Sequence, residues 1–253
     1  MALDEAVLES VQAGNYPPTL RLFSWRLACL SLGQAQPFSD VDFTRLRERG
    51  WDVVRRLTGG RAILHTDELT YSVIANSSEP RLNGSVLESY NRLAQALLAA
   101  VKSLGLAVEM TEHKQEIAKE TNPVCFEVPS TYEITVNGKK LIGSAQARRK
   151  AGVLQHGSLP LEGDLSRICQ ALSFSDEASR LSAAGRLLLR ATTVASALGR
   201  RVDWQAATQA FIKGFESALD LHLEPGELTD AESLLTDELV KQKYGHPSWT
   251  QRM

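Results

Sequence analysis

Patterns typical of β-strands fill the first two-thirds of this sequence, and patterns typical of helices fill the last third. Clusters of β-branched and aromatic residues predict strands over residues 19–25, 28–33, 52–57, 68–75, 132–136, 139–147 and 152–161. Apolar residues at helical spacing predict helices over 2–13, 85–105, 164–172, 175–189, 203–221 and 229–244. Because strands and helices are largely segregated along the chain, the sequence predicts an α+β fold.

Several boundaries between these segments carry specific signals. Asn137-Gly138, between two strand patterns, is the strongest hairpin signal in the chain. Asp203 and Thr229 are suited to cap helices, and Asp40 is suited to cap a short helix that ends near Gly50. Residues 111–123 are polar without periodicity, which predicts an exposed loop. The apolar stripe of the helix predicted over 85–105 consists of Val86, Tyr90, Leu93, Leu97, Leu98 and Val101.

The composition excludes several classes of protein. The formal charge is −2 and 43% of the residues are hydrophobic, so the chain can bury a full core and shows no general affinity for nucleic acid or anionic membranes. Three cysteines without paired spacing do not fit a disulfide framework or a zinc ribbon. No stretch has the apolar length of a membrane span, and the first residues are acidic, unlike those of a signal peptide. We therefore expect a reduced, cytoplasmic protein without a bound metal.

Three short blocks set glycines beside cations or histidine where strand patterns end. They read RRLTGGRAILH at 55–65, GKKLIGSAQ at 138–146 and QHGS at 155–158. Glycine lets the backbone approach a ligand closely, and a nearby cation can stabilise developing negative charge. The first block matches neither the dinucleotide fingerprint nor the P-loop. The candidate substrate-binding residues in these blocks are Arg55, Arg56, Thr58, Gly59, Gly60, Arg61, His65, Gly143, Ser144, Ala145, His156 and Gly157.

Adjacent lysines follow the predicted hairpin turn, and alternation along a strand places Lys139 and Lys140 on opposite faces. Periodicity alone does not decide which of them points into a pocket. His65 and His156 each lie near the end of a predicted strand, next to a loop that contains glycine. Two histidines at such junctions favour a functional role. Trp249, near the C-terminus, is expected to anchor the tail onto the domain.

The three cysteines have different surroundings in the sequence. Cys29 lies in a strand pattern and Cys169 in a helical pattern, so both are expected to be small core residues. Cys125 follows a polar loop and Pro123, and we expect it to be exposed. An accessible thiol near cations has a lowered pKa and becomes a nucleophile. Together with the glycine blocks, Cys125 predicts an acyl-transfer site.

The blocks RRLTGGRAILH, ELTYSV, CFEVPSTYEITVNGKKLIGSAQ and GVLQHGSLPL together resemble the lipoate–protein ligase and octanoyltransferase family. The resemblance runs nearly end to end, from MALDEAVLE to KYGHPSWTQR. Within the family, Cys125 and its neighbours Phe126, Pro129, Ser130 and Tyr132 resemble the Gram-positive type of octanoyltransferase. The chain departs from the usual family pattern at Leu57, Thr66 and Thr131, none of which is expected to react.

The resemblance implies a biotin/lipoate protein ligase-like catalytic domain over residues 1–253. Its fold would be a mixed β-sheet packed with helices and a smaller sheet, with a helical part over about 164–253 and no separate accessory domain. The resemblance also implies that Cys125 is the acyl-accepting nucleophile. The family motif Lys-hydrophobic-x-Gly-Ser-Ala selects Lys140 over Lys139 as the essential lysine.

The reaction implied by the resemblance is a two-step octanoyl transfer, the first step of lipoate biosynthesis. Cys125 would take the octanoyl group from octanoyl-acyl carrier protein and pass it to a lysine of a lipoyl domain. The acceptor would be the glycine cleavage H protein or the E2 subunit of a 2-oxoacid dehydrogenase. Amide formation from a thioester is downhill, so no ATP or other cofactor is expected. We expect the enzyme to act as a monomer.

Other functions fit parts of the same sequence. An ATP-dependent lipoate–protein ligase would direct Arg55, Arg61 and Lys140 toward a phosphate and leave Cys125 incidental. An amidotransferase would use Cys125 to move octanoyl between two lipoyl domains. A non-catalytic module could dock lipoyl domains or acyl carrier protein. The cysteine in its own motif disfavours the ligase, and the presence of both Cys125 and Lys140 disfavours the non-catalytic module.

Overall fold

The structure is a computed structural model that describes residues 1–14, 16–112 and 132–252. Its strands are β1 (Thr19–Phe23), β2 (Cys29–Leu32), β3 (Asp52–Arg55), β4 (Ile63–His65), β5 (Glu68–Asn76), β6 (Val108–Glu112), β7 (Tyr132–Val136), β8 (Lys139–Arg149) and β9 (Gly152–Pro160). Its helices are α1 (Ala2–Gln12), α2 (Phe43–Glu48), α3 (Val86–Ser103), α4 (Glu177–Arg190), α5 (Val194–Leu198), α6 (Trp204–Leu219), α7 (Asp230–Leu239) and α8 (Pro247–Thr250). These elements confirm the predicted α+β class.

The strands form a large antiparallel sheet and a small one. The large sheet has the order β1-β5-β9-β8-β7-β6. Asn137 and Gly138 both have positive φ, 51° and 73°, and form the tight turn between β7 and β8, which confirms the hairpin. The small sheet has the order β3-β2-β4, in which β2 runs parallel to β3 and antiparallel to β4.

Alternation along the central strands gives the large sheet two different faces. Leu69 and Tyr71 of β5 pack with Phe211 of α6 in the main apolar core, beneath α3 and α6. The opposite face carries polar side chains toward α1 and the small sheet. On that face, the Ser72 hydroxyl donates to Asp4 of α1 at 2.9 Å, and His156 contacts Thr58. The face opposite the main core is therefore where a polar site can form.

The remaining apolar side chains bury the other helices. One cluster joins the small sheet to α4 through side chains such as Leu30, Leu46 and Leu187. Another joins α1 to the C-terminal segment through Val7, Leu57 and Tyr244. Within the described residues, none of the helices is both long and apolar enough to cross a membrane.

Some boundaries differ from the sequence-based expectations. Asp42, rather than Asp40, caps α2, because its Oδ1 accepts a hydrogen bond from the Arg45 amide at 3.1 Å. The segment predicted as a helix over 164–172 is a 3₁₀ helix, Leu165–Gln170. Val86 at the start of α3 is 51% exposed and does not belong to the buried stripe. Asp203 and Thr229 are confirmed as caps of α6 and α7.

Two strands were not predicted, and both are short. β4 lies inside the glycine block, and β6 includes the start of the segment expected to be a loop. Each pairs with a single neighbouring strand, β2 or β7. Because an edge strand needs only one partner, its sequence does not have to carry a strong strand pattern. The rest of the predicted loop, from residue 113 onward, lies outside the described residues.

Candidate active site

The three glycine blocks meet around one cavity between the two sheets. The cavity opens to solvent and contains about 420 Å³ of empty space. Its walls are formed by Met1, Ser31, Arg56, Gly60, Ile63, His65, Thr70, Gly143, Ser144, Ala145, His156 and Gly157. The segments that are distant in sequence therefore converge, as the blocks predicted, with β8 and β9 on one side and the small sheet on the other.

Glycine is required at two points of close backbone approach near this cavity. A Cβ added at Gly157 would lie 2.6 Å from the Gly143 carbonyl oxygen and from the Tyr71 ring. A Cβ added at Gly33 would lie 1.9 Å from the Gly60 carbonyl oxygen. The backbone at Gly33, just after β2, thus lies directly against the backbone of the glycine turn at Gly60. Gly33 was not among the predicted site residues.

Arg56 is the central cation of the site, and it is 3% exposed. Its Nη1 donates to the Ser31 carbonyl at 2.9 Å and to the Ser31 hydroxyl at 3.2 Å. Its Nη2 donates to the carbonyls of Gly59 at 2.8 Å and Arg61 at 2.7 Å. Its Nε donates to Thr58 Oγ1 at 3.2 Å. The guanidinium therefore holds the glycine turn in shape.

His65 links a buried carboxylate to the cavity. Its Nδ1 lies 2.5 Å from Glu68 Oε1, and its Nε2 lies 2.7 Å from the Ser31 hydroxyl. The Trp25 ring stacks on the imidazole with the ring centroids 4.4 Å apart. Burial opposes ionisation of Glu68, but His65 and the hydroxyls of Ser158 and Thr70 hold its pKa below the ordinary value.

His156 occupies a comparable position on the large sheet. It lies in the middle of β9, not at a strand end as the sequence suggested. Its Nε2 lies 2.6 Å from Thr58 Oγ1, and its Nδ1 lies 3.7 Å from Asp4 Oδ2. Burial lowers the pKa of His156, and Asp4 offsets this only in part, so the ring stays neutral near pH 7. Burial opposes ionisation of Asp4 too, yet His156 and Arg21 keep its pKa well below the ordinary value.

Arg55 does not line the cavity, contrary to the expectation from sequence. Its guanidinium is fully buried, and its acceptors among the described residues are backbone carbonyls in the segment after β2 and in the C-terminal segment. Three acceptors precede α2 and three lie at the C-terminus: Gly33, Gln34, Gln36, Trp249, Thr250 and Arg252. The Trp249 indole in turn donates to the Arg55 carbonyl at 2.9 Å, which confirms Trp249 as the anchor of the tail. Arg55 is a structural clamp because strand alternation turns it away from Arg56.

The two lysines of β8 have different environments. Lys140 is 5% exposed, and its Nζ lies 2.7 Å from Glu133 Oε1, which is also buried. Lys139 points outward, and its Nζ donates to the Leu188 carbonyl of α4 at 2.7 Å. Lys140 precedes Gly143 by three positions on the strand that forms one cavity wall. The structure thus separates two side chains that the sequence pattern left equivalent.

Of the cysteines, Cys125 lies outside the described residues, together with Phe126, Pro129 and Ser130. Cys29 and Cys169 are buried, 5% and 0% exposed, as expected for core residues. Burial, assisted by the nearby Asp52 carboxylate, raises the pKa of the Cys29 thiol to about 12. Neither buried thiol is suited to nucleophilic attack.

Sequence reasoning missed several polar residues near the site, among them Asp4, Ser31, Glu68, Thr70 and Glu133. Asp4 carried a usable signal, since Asp4, Val7, Leu8 and Val11 share one helix face and a carboxylate on an apolar stripe must find a partner. Glu133 and Ser31 gave no signal in the sequence, because only strand pairing brings Glu133 to Lys140 and Ser31 to His65.

Two sheets that enclose a cavity lined by glycines, histidines and a buried arginine form a candidate catalytic domain, and comparison with known proteins identifies its family. The sequence model of the lipoyl protein ligase A/B catalytic domain matches residues 1–216. The chain belongs to this family.

Full-length relatives are similar to the chain throughout. Octanoyltransferase LipM of Brevibacillus brevis is 39% identical over all of this chain and 94% of its own length. Octanoyltransferase LipM of Kyrpidia tusciae is 40% identical over all of this chain and 93% of its own length. The bipartite lipoate protein ligase of Thermoplasma acidophilum, studied with its E2 lipoyl domain, superposes with a TM-score of 0.81 at 24% identity, over 99% of this chain and 89% of that chain. The last comparison confirms the predicted lipoate ligase-like fold.

Proposed function

We propose that this enzyme transfers an octanoyl group from the thioester of acyl carrier protein to a lysine of a lipoyl domain, through a thioester on Cys125. The chain is an octanoyltransferase of lipoate biosynthesis, since curated octanoyltransferases match it over its full length. The donor, the acceptor and the catalytic residues are parts of the proposal. One catalytic domain over residues 1–253, acting as a monomer in the cytoplasm, would perform both steps.

In the first step the Cys125 thiolate attacks the octanoyl carbonyl of the carrier-protein thioester. A new carbon–sulfur bond forms, the bond to the carrier's thiol breaks, and that thiol leaves with a proton. In the second step the neutral amine of the acceptor lysine attacks the Cys125 thioester. The amide forms, the amine loses its proton, and the Cys125 thiol is released for another cycle. Covalent catalysis divides the transfer into a nearly balanced thioester exchange and a downhill formation of the amide.

One observation favours acyl transfer over formation of an acyl-adenylate, namely the hydrogen bonds that Arg55 and Arg56 make. The Arg55 guanidinium is taken up by six backbone carbonyls, and that of Arg56 by the carbonyls and hydroxyls around the glycine turn. Neither arginine is arranged to grip a phosphate, which the ligase alternative required of Arg55. The cavity wall combines polar side chains with Gly60, Ile63, Ala145 and the backbone of Gly143 and Gly157, and this apolar part suits an acyl chain.

Lys140 is the lysine that we assign to catalysis. Its buried ion pair with Glu133 fixes the ammonium of a residue on β8, the strand that contributes Gly143, Ser144 and Ala145 to the cavity wall, although Lys140 is not itself among the described lining residues. A fixed cation close to the acyl carbonyl would stabilise the oxyanion that forms in both steps. The contact of Lys139 with the end of α4 gives it no such position.

The assay that tests this function combines the protein with octanoyl-acyl carrier protein and apo H protein in the absence of ATP. We expect the H-protein mass to increase by one octanoyl group, and an octanoylated enzyme to accumulate when the acceptor is omitted. Cys125→Ala should abolish both products. Activity that requires ATP and free octanoate and survives Cys125→Ala would support the ligase. A product formed only from an octanoylated lipoyl domain would support the amidotransferase.

Matched lysine variants test the assignment within β8. Lys140→Ala should reduce octanoyl transfer by about two orders of magnitude or more, the usual effect of removing an oxyanion-stabilising group. Lys139→Ala should retain most of the activity, because the Lys139 ammonium donates to the Leu188 carbonyl near the exposed end of α4. The reverse order of effects would contradict the assignment of Lys140.

Thiol labelling gives an independent prediction about the nucleophile. In the folded protein at pH 8, iodoacetamide should modify Cys125 alone, since Cys29 and Cys169 are buried and the pKa of Cys29 is raised to about 12. Peptide mass spectrometry after brief labelling would identify the site. Modification of Cys29 or Cys169 at a rate similar to that of Cys125 would refute this prediction.

A further inference from the structure

Two series of buried, hydrogen-bonded polar groups converge on Arg56. The first begins at Glu68 of β5 in the large sheet and crosses to the small sheet, where His65 contacts the Ser31 hydroxyl, which accepts a hydrogen bond from Arg56. On the large sheet, His156 contacts the Thr58 hydroxyl, which also accepts from Arg56. The guanidinium therefore joins both sheets to the glycine turn.

At two points in the hydrogen-bonded series that begins at Glu68, the chemistry of the groups fixes which one donates and which one accepts. The Glu68 carboxylate can only accept, so His65 Nδ1 carries a proton and donates it to Glu68, while His65 Nε2 contacts the Ser31 hydroxyl. The Ser31 oxygen is then oriented to accept from Arg56 Nη1. The Thr70 hydroxyl donates to Glu68 at 2.5 Å, and the Ser158 hydroxyl also donates to it, which fixes the carboxylate.

Burying the polar groups of Glu68, His65 and Ser31 costs free energy, which suggests that they serve a purpose beyond folding. Glu68 and His65 are 5% and 4% exposed, and Ser31 is fully buried. Apolar side chains of similar size would stabilise the same interior without the desolvation of a charge. Moreover, Ser31 and His65 line the cavity, whereas Glu68 is not among the described residues that form its wall and borders a second pocket instead. The series of hydrogen bonds thus ends at the cavity wall where the acyl group would bind.

We propose that Glu68 and His65 are positioning residues for octanoyl transfer. Acting through Ser31, they fix the Arg56 guanidinium, and Arg56 in turn holds the carbonyls of Gly59 and Arg61 so that the glycine turn forms a rigid cavity wall. This inference rests on the proposed function, because it assigns the wall to the octanoyl donor. Neither Glu68 nor His65 takes part in bond making.

Loss of the contacts made by Glu68 and His65 should weaken binding of the octanoyl donor and leave the rates of the chemical steps nearly unchanged. Glu68→Gln removes the negative charge and one of the two acceptor oxygens, so the contact with His65 is weakened, the Ser31 hydroxyl is held less firmly, and Arg56 has a less well oriented acceptor. The turn then samples open conformations, and the donor must order it on binding. The KM for octanoyl-acyl carrier protein should rise by about tenfold, while kcat should change by less than about twofold.

The experiment compares Glu68→Gln and Ser31→Ala with a matched control, Glu216→Gln. Glu216 also pairs with a histidine, His222, at 3.1 Å, but that pair is exposed and lies at the end of α6. Each variant would be measured for donor KM and kcat and for amide hydrogen exchange. If Glu68→Gln does not fold, Ser31→Ala still interrupts the series of hydrogen bonds between His65 and Arg56 by removing a single oxygen atom.

Exchange in residues 56–62 should accelerate by roughly tenfold in both test variants, while exchange in β5 and β9 and in the Glu216→Gln control stays at the wild-type rate. Wild-type exchange in residues 56–62 together with wild-type KM would overturn the proposal. Equal acceleration throughout both sheets would also overturn it, since that outcome indicates only a loss of stability. If the enzyme forms no octanoyl-cysteine at all, the proposed function fails, whereas the exchange result still tests the positioning of the turn.

Discussion

Arg55 and Arg56 are neighbours in sequence, but their guanidinium groups hold different parts of the molecule. Arg56 binds the glycine turn at the cavity wall, whereas Arg55 binds the loop after β2 and the C-terminal segment. The pattern of two arginines beside two glycines correctly predicted cations that need partners. It did not predict that carbonyls would be those partners, because the acceptors at Trp249 and Thr250 are more than 190 residues away.

Arg55→Lys provides a test of the clamp. A lysine can donate at most three hydrogen bonds, so at least three of the six carbonyls would be left without this donor. We expect the free energy of unfolding to fall by about 2–4 kcal/mol, measured by urea denaturation. Arg47→Lys is the matched control, because Arg47 is exposed on α2, and it should change stability by less than about 0.5 kcal/mol. Equal effects of the two substitutions would contradict the clamp.

At the scale of elements, two helical glycines have opposite environments. Gly185 lies within α4, and a Cβ added there would meet nothing within 4 Å. Gly214 lies within α6 where that helix crosses α3, and a Cβ added there would lie 2.7 Å from the Ala96 carbonyl oxygen and the Ala100 amide nitrogen. Helix propensity favours alanine at both positions, so only tertiary contact distinguishes them.

The two Gly→Ala substitutions should therefore change stability in opposite directions. Gly185→Ala should raise the free energy of unfolding by about 0.5–1 kcal/mol, through helix propensity and reduced entropy of the unfolded chain. Gly214→Ala should lower it by about 1–3 kcal/mol, because the backbone of α3 must move away. Thermal and urea unfolding of both variants would measure these shifts. A stabilising Gly214→Ala would show that α3 and α6 can separate without cost.

The elements that the sequence predicted well are those with a complete local signal. The Asn137-Gly138 hairpin requires two positive φ angles that these residues adopt readily, and α3 has a capping box at Ser85 with Glu88. β4 and β6 lacked such signals, because their pairing with β2 and β7 defines them as strands. The lysine of β8 that is buried was likewise not determined by alternation, since the partner Glu133 comes from the adjacent strand.

At the scale of the whole molecule, buried ionisable groups make stability depend on pH. His156, Glu68 and Asp4 all have pKa values below their ordinary ones in the folded protein. The unfolded chain therefore binds more protons than the folded chain in the acid range, and stability must fall as pH falls. His156 contributes first, below its ordinary value of 6.5, and Glu68 and Asp4 add their share below 4.5 and 3.8.

We expect the free energy of unfolding to decrease by about 1–3 kcal/mol between pH 7 and pH 4, measured by urea denaturation at fixed ionic strength. His156→Gln should reduce the dependence between pH 7 and pH 5. His222→Gln, at an exposed histidine, should leave the profile unchanged. Stability that is constant or rises on acidification over this range would contradict the assignment of a buried neutral His156.

The sequence by itself determined the class of fold, the segments that form the site and the resemblance to octanoyltransferases. Those properties depend on local backbone preferences, on apolar periodicity and on short motifs, all of which are contiguous in the chain. Only the tertiary structure decided which arginine faces the cavity, which lysine is buried and which carboxylates stand behind the histidines. These outcomes depend on strand register and on contacts between residues far apart in sequence, because the cost of burying a polar group is offset only by the partner that the fold brings to it.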